Sequence, residues 1–240
     1  MKKKNIDIIM SLTLLFLMAY QVTGEALHEW IGIAMTVLVI AHHILNRNWC
    51  GALFKGKYHP CRILMTGTNF LLLASLALTS FCGMSMSGHA VPFLYGMADI
   101  SFVRHFHLAM SHWSFVLMGL HLGLHIPAMV MRIRLSDRAR MILMAVFALA
   151  AGYGWFLFLK GEILNYMFFR NPFAFFDYEK AKALVIFENL LMLVFWVFLG
   201  SQLADLCVSR TGKRNRLLPA AFILFAVLLG VVLVLVTHTP

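Results

Sequence analysis

The stretch His28–Trp49, "HEWIGIAMTVLVIAHHILNRNW", decides how this chain is read. It is greasy enough for a bilayer interior, yet it carries imidazoles at 28, 42 and 43 and ends beside Arg47. As an α-helix at 100° per residue, the fourteen steps from His28 to His42 return to within about 40° of the starting face after a rise of about 21 Å. One helix therefore shows two rings on one face at two depths. Ionisable side chains are rare inside apolar spans and mark functional paths when they occur there.

The rest of the chain belongs in the same medium. Of its 240 residues, 61% are hydrophobic and only 12% charged, far from the usual soluble balance. Runs long enough to cross a bilayer, about 20 residues each, fall at 6–22, 30–45, 63–81, 106–131, 141–159, 183–206 and 218–236. The second is short unless it takes in the turn around Glu25 to Glu29. The expected fold is all-α, an integral membrane bundle of about seven transmembrane helices. It forms one integral domain: a four-helix core over 1–135, then three further helices over 136–240 with an aromatic outer segment, "KGEILNYMFFRNPFAFFDYEK", suited to the headgroup level. The basic, apolar start resembles a secretory signal but has no small-x-small cleavage site, so it reads as a retained first span.

The formal charge of +10 does not point to nucleic acid, because the cations sit in the connections rather than along one face. Fifteen of the twenty Lys and Arg residues fall in connections on one side, and five on the other. The positive-inside rule then puts the amino terminus in the cytoplasm and Pro240 outside. The four cysteines form no disulfide or Cys-x-x-Cys pattern.

Ten of the eleven histidines precede Pro127, and His107 and His121 repeat the fourteen-residue spacing of His28 and His42. The charge pattern makes both helices run from outside to inside. His28 then faces His107 near the outer surface, and His42 faces His121 near the inner one. Two level-matched pairs of neutral imidazoles suit two bis-histidine b-type haems, with His28, His42, His107 and His121 as iron ligands; histidine is a common haem ligand.

Other residues support or compete with these four. His43 is turned about 60° from His28 and can replace His42. His125, one turn beyond His121, competes for the inner site or donates to a quinone. His89 caps the outer site or faces a partner. Gly32, Gly119 and Gly123 would let a flat cofactor approach the backbone, or equally would serve a small-xxx-small helix contact. Arg47 and Arg104 lie near the two ligand levels, where propionates need cations. His105 and His112 have weaker cases, and His59 reads as a solvated loop residue.

The blocks "TGEALHEWIGIAMTVLVIAHHILNRNW", "FKGKYHPCRIL", "MSGHAVPF", "HFHLAMSHWSFVLMGLHLGLH" and "FAFFDYEKAKAL" resemble, in this order, the flavinylation-associated cytochrome family of bacterial membrane proteins. The resemblance covers most of Thr23 to about Asp205 and implies a multi-pass protein of the bacterial cytoplasmic membrane. It implies haem b and electron delivery to an extracytoplasmic protein or domain carrying covalently attached FMN. Residue by residue it points to His28, His42 or His43, His107, His121 and His125, with His89 in the outer segment. His112 stands where the family pattern leads one to expect an aromatic residue, and the span after Arg216 is beyond the resemblance.

The function expected is transmembrane electron transfer, from a quinol or a cytoplasmic donor through two haems to an outer acceptor. That makes the chain a cytochrome subunit, a component of a quinol-linked oxidoreductase where the donor is a quinol, and it requires no bond-making catalytic residue. No Gly-x-Gly-x-x-Gly turn for a nucleotide cofactor is present. The competing readings are a His-lined proton or metal-ion transporter and a non-catalytic membrane anchor. Sixteen methionines at no particular spacing suit flexible packing better than copper binding.

Overall fold

The computed structural model describes residues 3–130, 136–209 and 217–238, and these are helical with short connections and no strand. The long helices are α1 (Lys3–Met18), α2 (Tyr20–Leu45), α4 (Pro60–Ser85), α5 (Ile100–Val130), α6 (Asp137–Lys160), α8 (Lys182–Ser209) and α9 (Leu217–His238). Two five-residue helices, α3 (Asn48–Ala52) and α7 (Ile163–Met167), lie in connections. Lys2, Arg132, Arg134, Arg210, Lys213, Arg214 and Arg216, which enter the orientation count, lie outside the described residues.

Among the described residues, five helices are long and apolar enough to cross a membrane: α2, α4, α6, α8 and α9. Large apolar side chains such as Val37, Ile40, Leu71, Ile142 and Leu235 are exposed along them, as lipid contact requires and water does not favour. Helix α1 has only 16 residues, short of a full hydrocarbon crossing. Helix α5 has 31 residues, and its five histidines dilute its hydropathy.

Local signals set the ends. His59 caps α4, its Nδ1 accepting from the Arg62 amide at 3.3 Å, with Pro60 in the first turn, where a missing N–H costs nothing. The expected solvated loop histidine is thus a helix cap. Ser136 caps α6 by accepting from the Ala139 amide, and Asp137 and Lys160 complement the dipole at the two ends. The expected boundary between the first two runs shifts: α1 ends at Met18, and α2 begins at Tyr20. Gly24, at φ 69°, bends α2 there, a left-handed conformation glycine adopts freely.

Packing follows the small residues. Helix α5 lies between α4 and α8, α6 packs on α8 and α9, and α1 packs on α2. A β-carbon on Gly119 would fall 2.5 Å from the Trp196 β-carbon, and one on Gly123 would strike the Val197 carbonyl, so both glycines are seats for α8. Across the contact, Gly200 answers them, its own β-carbon 2.5 Å from the Leu120 carbonyl. On the far side, Gly152 seats Leu229 and Gly230 seats Trp155, which fixes α9 against α6. A core of Met10, Leu14, Met35, Leu72, Phe115 and Leu193 joins α1, α2, α4, α5 and α8. Helix α2, by contrast, leans on α1 and only lightly on α4, and makes little or no backbone contact with α5.

Candidate functional site

The gap between α2 and α5 is where the histidines meet. His28 on α2 and His107 on α5 face each other with ring centroids 6.0 Å apart and planes at 74°. The His107 Nδ1–H donates to the Thr79 carbonyl at 3.0 Å. A carbonyl only accepts, so this ring holds its proton on Nδ1 and keeps a lone pair on Nε2. The His28 ring stands edge-on to Tyr20, with centroids 5.1 Å apart. Its Nδ1 is buried without an aligned hydrogen bond.

Both rings line a cavity of about 740 Å³, within the usual range for ligand sites. Gly32, Thr36, Ser80 and Arg104 share its wall. Nothing lies within 4 Å of where a Gly32 β-carbon would stand, so open space adjoins the backbone one turn from His28. The α5 residues Arg104, His107, Leu108, Ser111, His112 and Phe115 form the floor. The segment 172–177 closes the far side, and Phe176 stacks on Tyr20 at 5.4 Å. That segment is thus a wall of the cavity as well as an exposed aromatic surface, carried on Phe173 and Phe175 and continued by Tyr178.

The second cluster lies at the other end of the same two helices. His42 Nδ1 pairs with Asp7 Oδ1 at 2.9 Å. His43 Nδ1 donates to the Val39 carbonyl at 2.8 Å. His121 Nδ1 donates to Asn69 Oδ1 at 2.8 Å. His125 packs on His121, with centroids 4.9 Å apart, and His42 and His43 are both within electrostatic reach of His121. His28 meets His107, and fourteen residues further along each helix His42 and His121 fall within electrostatic reach, so α2 and α5 run in the same direction.

A shared device runs through both clusters. Tying Nδ1 to an oxygen fixes ring and tautomer and leaves Nε2 as the donor atom, which is how ligating histidines are commonly held. His107, His121, His42 and His43 all have such a partner; at His42 the Nε2 in turn accepts from Asn46 Nδ2 at 3.4 Å. The separation of His28 and His107 also fits. Imidazole nitrogen binds a metal at about 2 Å, so two rings on opposite sides of one ion have centroids about 6 Å apart.

Other candidates fall elsewhere. Gly119 and Gly123 do not face the histidine side: two residues along a helix is 200°, so the neighbours of His121 at 119 and 123 point away from it, onto α8. Arg104 lines the cavity, while Arg47 is exposed at the start of α3. His89 is exposed beside Glu25 and Glu29, ligand atoms of the three lying within 4.8 Å. The Glu29 carboxylate is already engaged, accepting from Ser87 Oγ and from the amides of Gly88, His89 and Ala90 at 2.7–3.1 Å. His112 is buried, its Nδ1–H donating to the Leu108 carbonyl at 2.7 Å and its ring stacked on Tyr166.

Sequence reading missed the Nδ1 partners. Asp7 is the lone acid of the first apolar run and Asn69 an isolated amide inside another, and both could have been flagged on polarity alone. Thr79 contributes a backbone carbonyl, which no side-chain pattern announces. The comparisons made with known proteins, by family model, by curated sequence and by solved structure, gave no match to this chain.

Proposed function

We propose that this chain carries electrons across a membrane through two b-type haems, each held by one histidine from α2 and one from α5. His28 and His107 hold the outer group, and His42 and His121 the inner one, with His43 and His125 as neighbours of the inner ligands. In this reading seven helices span the bacterial cytoplasmic membrane, with the amino terminus in the cytoplasm. Haem supplies reversible one-electron chemistry when bound, and the protein sets its position and potential.

The observation that carries the reading is the His28–His107 pair: 6.0 Å between ring centroids, on helices with little backbone contact, opening on a cavity with Arg104 in its wall. Packing alone does not call for such a gap, because apolar helices in lipid gain most from close contact. The histidines of this chain would hold iron through Nε2, His42 by exchanging its contact with Asn46 Nδ2 for the metal, while Thr79, Asn69 and Asp7 orient the rings and Arg104 would face a propionate. Electrons arrive from a quinol or a cytoplasmic donor and leave to an FMN-bearing protein or domain outside. The test is optical: the purified protein should absorb strongly in the Soret region and shift on dithionite reduction, and a colourless preparation from haem-sufficient cells would overturn the reading.

A further inference from the structure

The cavity extends beyond the two rings proposed as ligands, and its remaining polar groups form a second set. Along the α5 floor, His107 lies on the edge toward α4, while His112, five residues and about 140° further round, lies on the edge toward α7 and α8. There its ring stacks on Tyr166, and Asn189 and Glu188 line the same cavity. His112 is only 9% exposed and Asn189 only 7%. Polar groups this deep are kept where hydrogen bonding uses them.

Each of these groups has capacity left. The Nδ1–H of His112 is spent on Leu108, so Nε2 carries a lone pair, and among the described residues nothing donates to it. Asn189 gives one Nδ2 hydrogen to the Val185 carbonyl and keeps the other. The Tyr166 hydroxyl oxygen accepts from the Phe175 amide at 3.4 Å, which leaves its own hydrogen to donate. Glu188 takes the Lys180 ammonium on Oε2 and has Oε1 free of it. Phe158, Ile163 and Met192 make the apolar wall around them.

We infer that this side of the cavity, built from His112, Tyr166, Glu188 and Asn189, is a binding and oxidation site for a membrane quinol. The pattern matches that ligand: a flat apolar ring with two opposed oxygens, each of which donates as quinol and accepts as quinone. His112 Nε2 and the Glu188 carboxylate accept from the quinol hydroxyls, and Asn189 and Tyr166 donate to the quinone carbonyls. In the reaction both O–H bonds of the quinol break. Their two hydrogens leave as protons, one to His112 Nε2 and one to Glu188, and then pass to water at the Lys180 end. The two electrons would leave one at a time through the haem that His28 and His107 would hold, the first passed to the outer acceptor before the second arrives, and both oxygens remain on the product as carbonyls. This rests on the proposed haem function for its electron acceptor, but not for the binding of the ring.

The test uses the purified, haem-loaded full chain in detergent, with menadione and decyl-ubiquinone as probes. Binding is read by calorimetry, and a photoactivatable azidoquinone followed by peptide mapping reports the place. His112→Phe keeps a stacked ring but removes the lone pair, and Asn189→Leu keeps the volume but removes the amide. Each should weaken quinone binding by tenfold or more, leaving haem content and the dithionite-reduced spectrum unchanged. His112→Phe and Glu188→Gln should slow haem reduction by the matching quinol by tenfold or more, and label should fall on α5, 163–178 and α8. Wild-type binding in both His112→Phe and Asn189→Leu, or label confined to the His121–His125 end, would overturn the site. Quinone binding that depends on His112 in a protein lacking haem would defeat the electron-transfer reading alone.

Discussion

Gly83 on α4 lies so close to His107 on α5 that a β-carbon there would stand 3.1 Å from the ring Cε1 and 3.3 Å from Nδ1. The same ring is held by the Thr79 carbonyl one turn earlier on α4. One turn of α4 therefore supplies both the hydrogen-bond acceptor that aims the imidazole and the bare backbone that lets it fit. Gly83→Ala should tilt the ring off Thr79 and lower occupancy of the haem at that level, while the other haem stays bound. Quantifying haem in the variant against wild type checks this; full occupancy with unchanged spectra would show that the ring has room to spare.

Asp7 tests the other cluster. Its carboxylate pairs with His42 Nδ1 at 2.9 Å, and both side chains are partly exposed, 24% for His42 and 45% for Asp7. Solvent screening makes the pair a small contributor to stability, so its effect should appear at the iron. A carboxylate on Nδ1 makes the ligand more basic, and losing such a partner typically costs about 10–100-fold in metal affinity or activity. Asp7→Ala should raise the midpoint potential of the inner haem and leave the outer one unchanged in a redox titration. Equal shifts at both would mean that Asp7 acts through the field of the bundle rather than through His42.

How much of this was legible beforehand depends on the scale of the interaction. The helices follow from composition, and the pairing of His28 with His107 follows from the matching fourteen-residue spacing, since helical geometry is regular enough to carry phase over four turns. The role of Gly119 and Gly123 was open, because glycine on a helix serves a cofactor and a neighbouring helix equally well. It is resolved by α8, which no local pattern places. The segment 172–177 looked interfacial because exposed and cavity-lining aromatics have the same composition. Its role as a wall depends on the stacking of Phe176 on Tyr20, more than 150 residues away in sequence.

Gly123 gives a packing prediction with a competition of signs. Alanine is favoured over glycine within a helix by about 1 kcal/mol, but its β-carbon would strike the Val197 carbonyl and stand 2.9 Å from Gly200 Cα. Backbone atoms cannot swing aside, and overpacking costs about 1–3 kcal/mol. Gly123→Ala should therefore lower the melting temperature in detergent, with the spectrum of the surviving folded protein unaltered. A gain in stability would mean that α8 moves away freely.

Glu29 anchors the connection between α4 and α5. Its carboxylate accepts from Ser87 Oγ and three successive amides, and hydrogen bonds to a charged group are worth about 1.5–3 kcal/mol each at best. Glu29→Ala should release the 87–91 turn, seen as faster hydrogen exchange at Gly88, His89 and Ala90 with little change at α8. Unchanged exchange at those amides would show that Ser87, whose Oγ also accepts from the amides of Ala90 and Val91, holds the turn unaided.

The most direct measurement of the central claim is the number of haems per polypeptide in the wild type, in His28→Ala and in His121→Ala, each purified from haem-sufficient cells and scored by reduced-minus-oxidised spectroscopy with haem quantification. Two, one and one are predicted, with different residual spectra in the two variants because different levels survive. Two haems in all three proteins, or none in any, would contradict the assignment of the facing imidazoles as iron ligands.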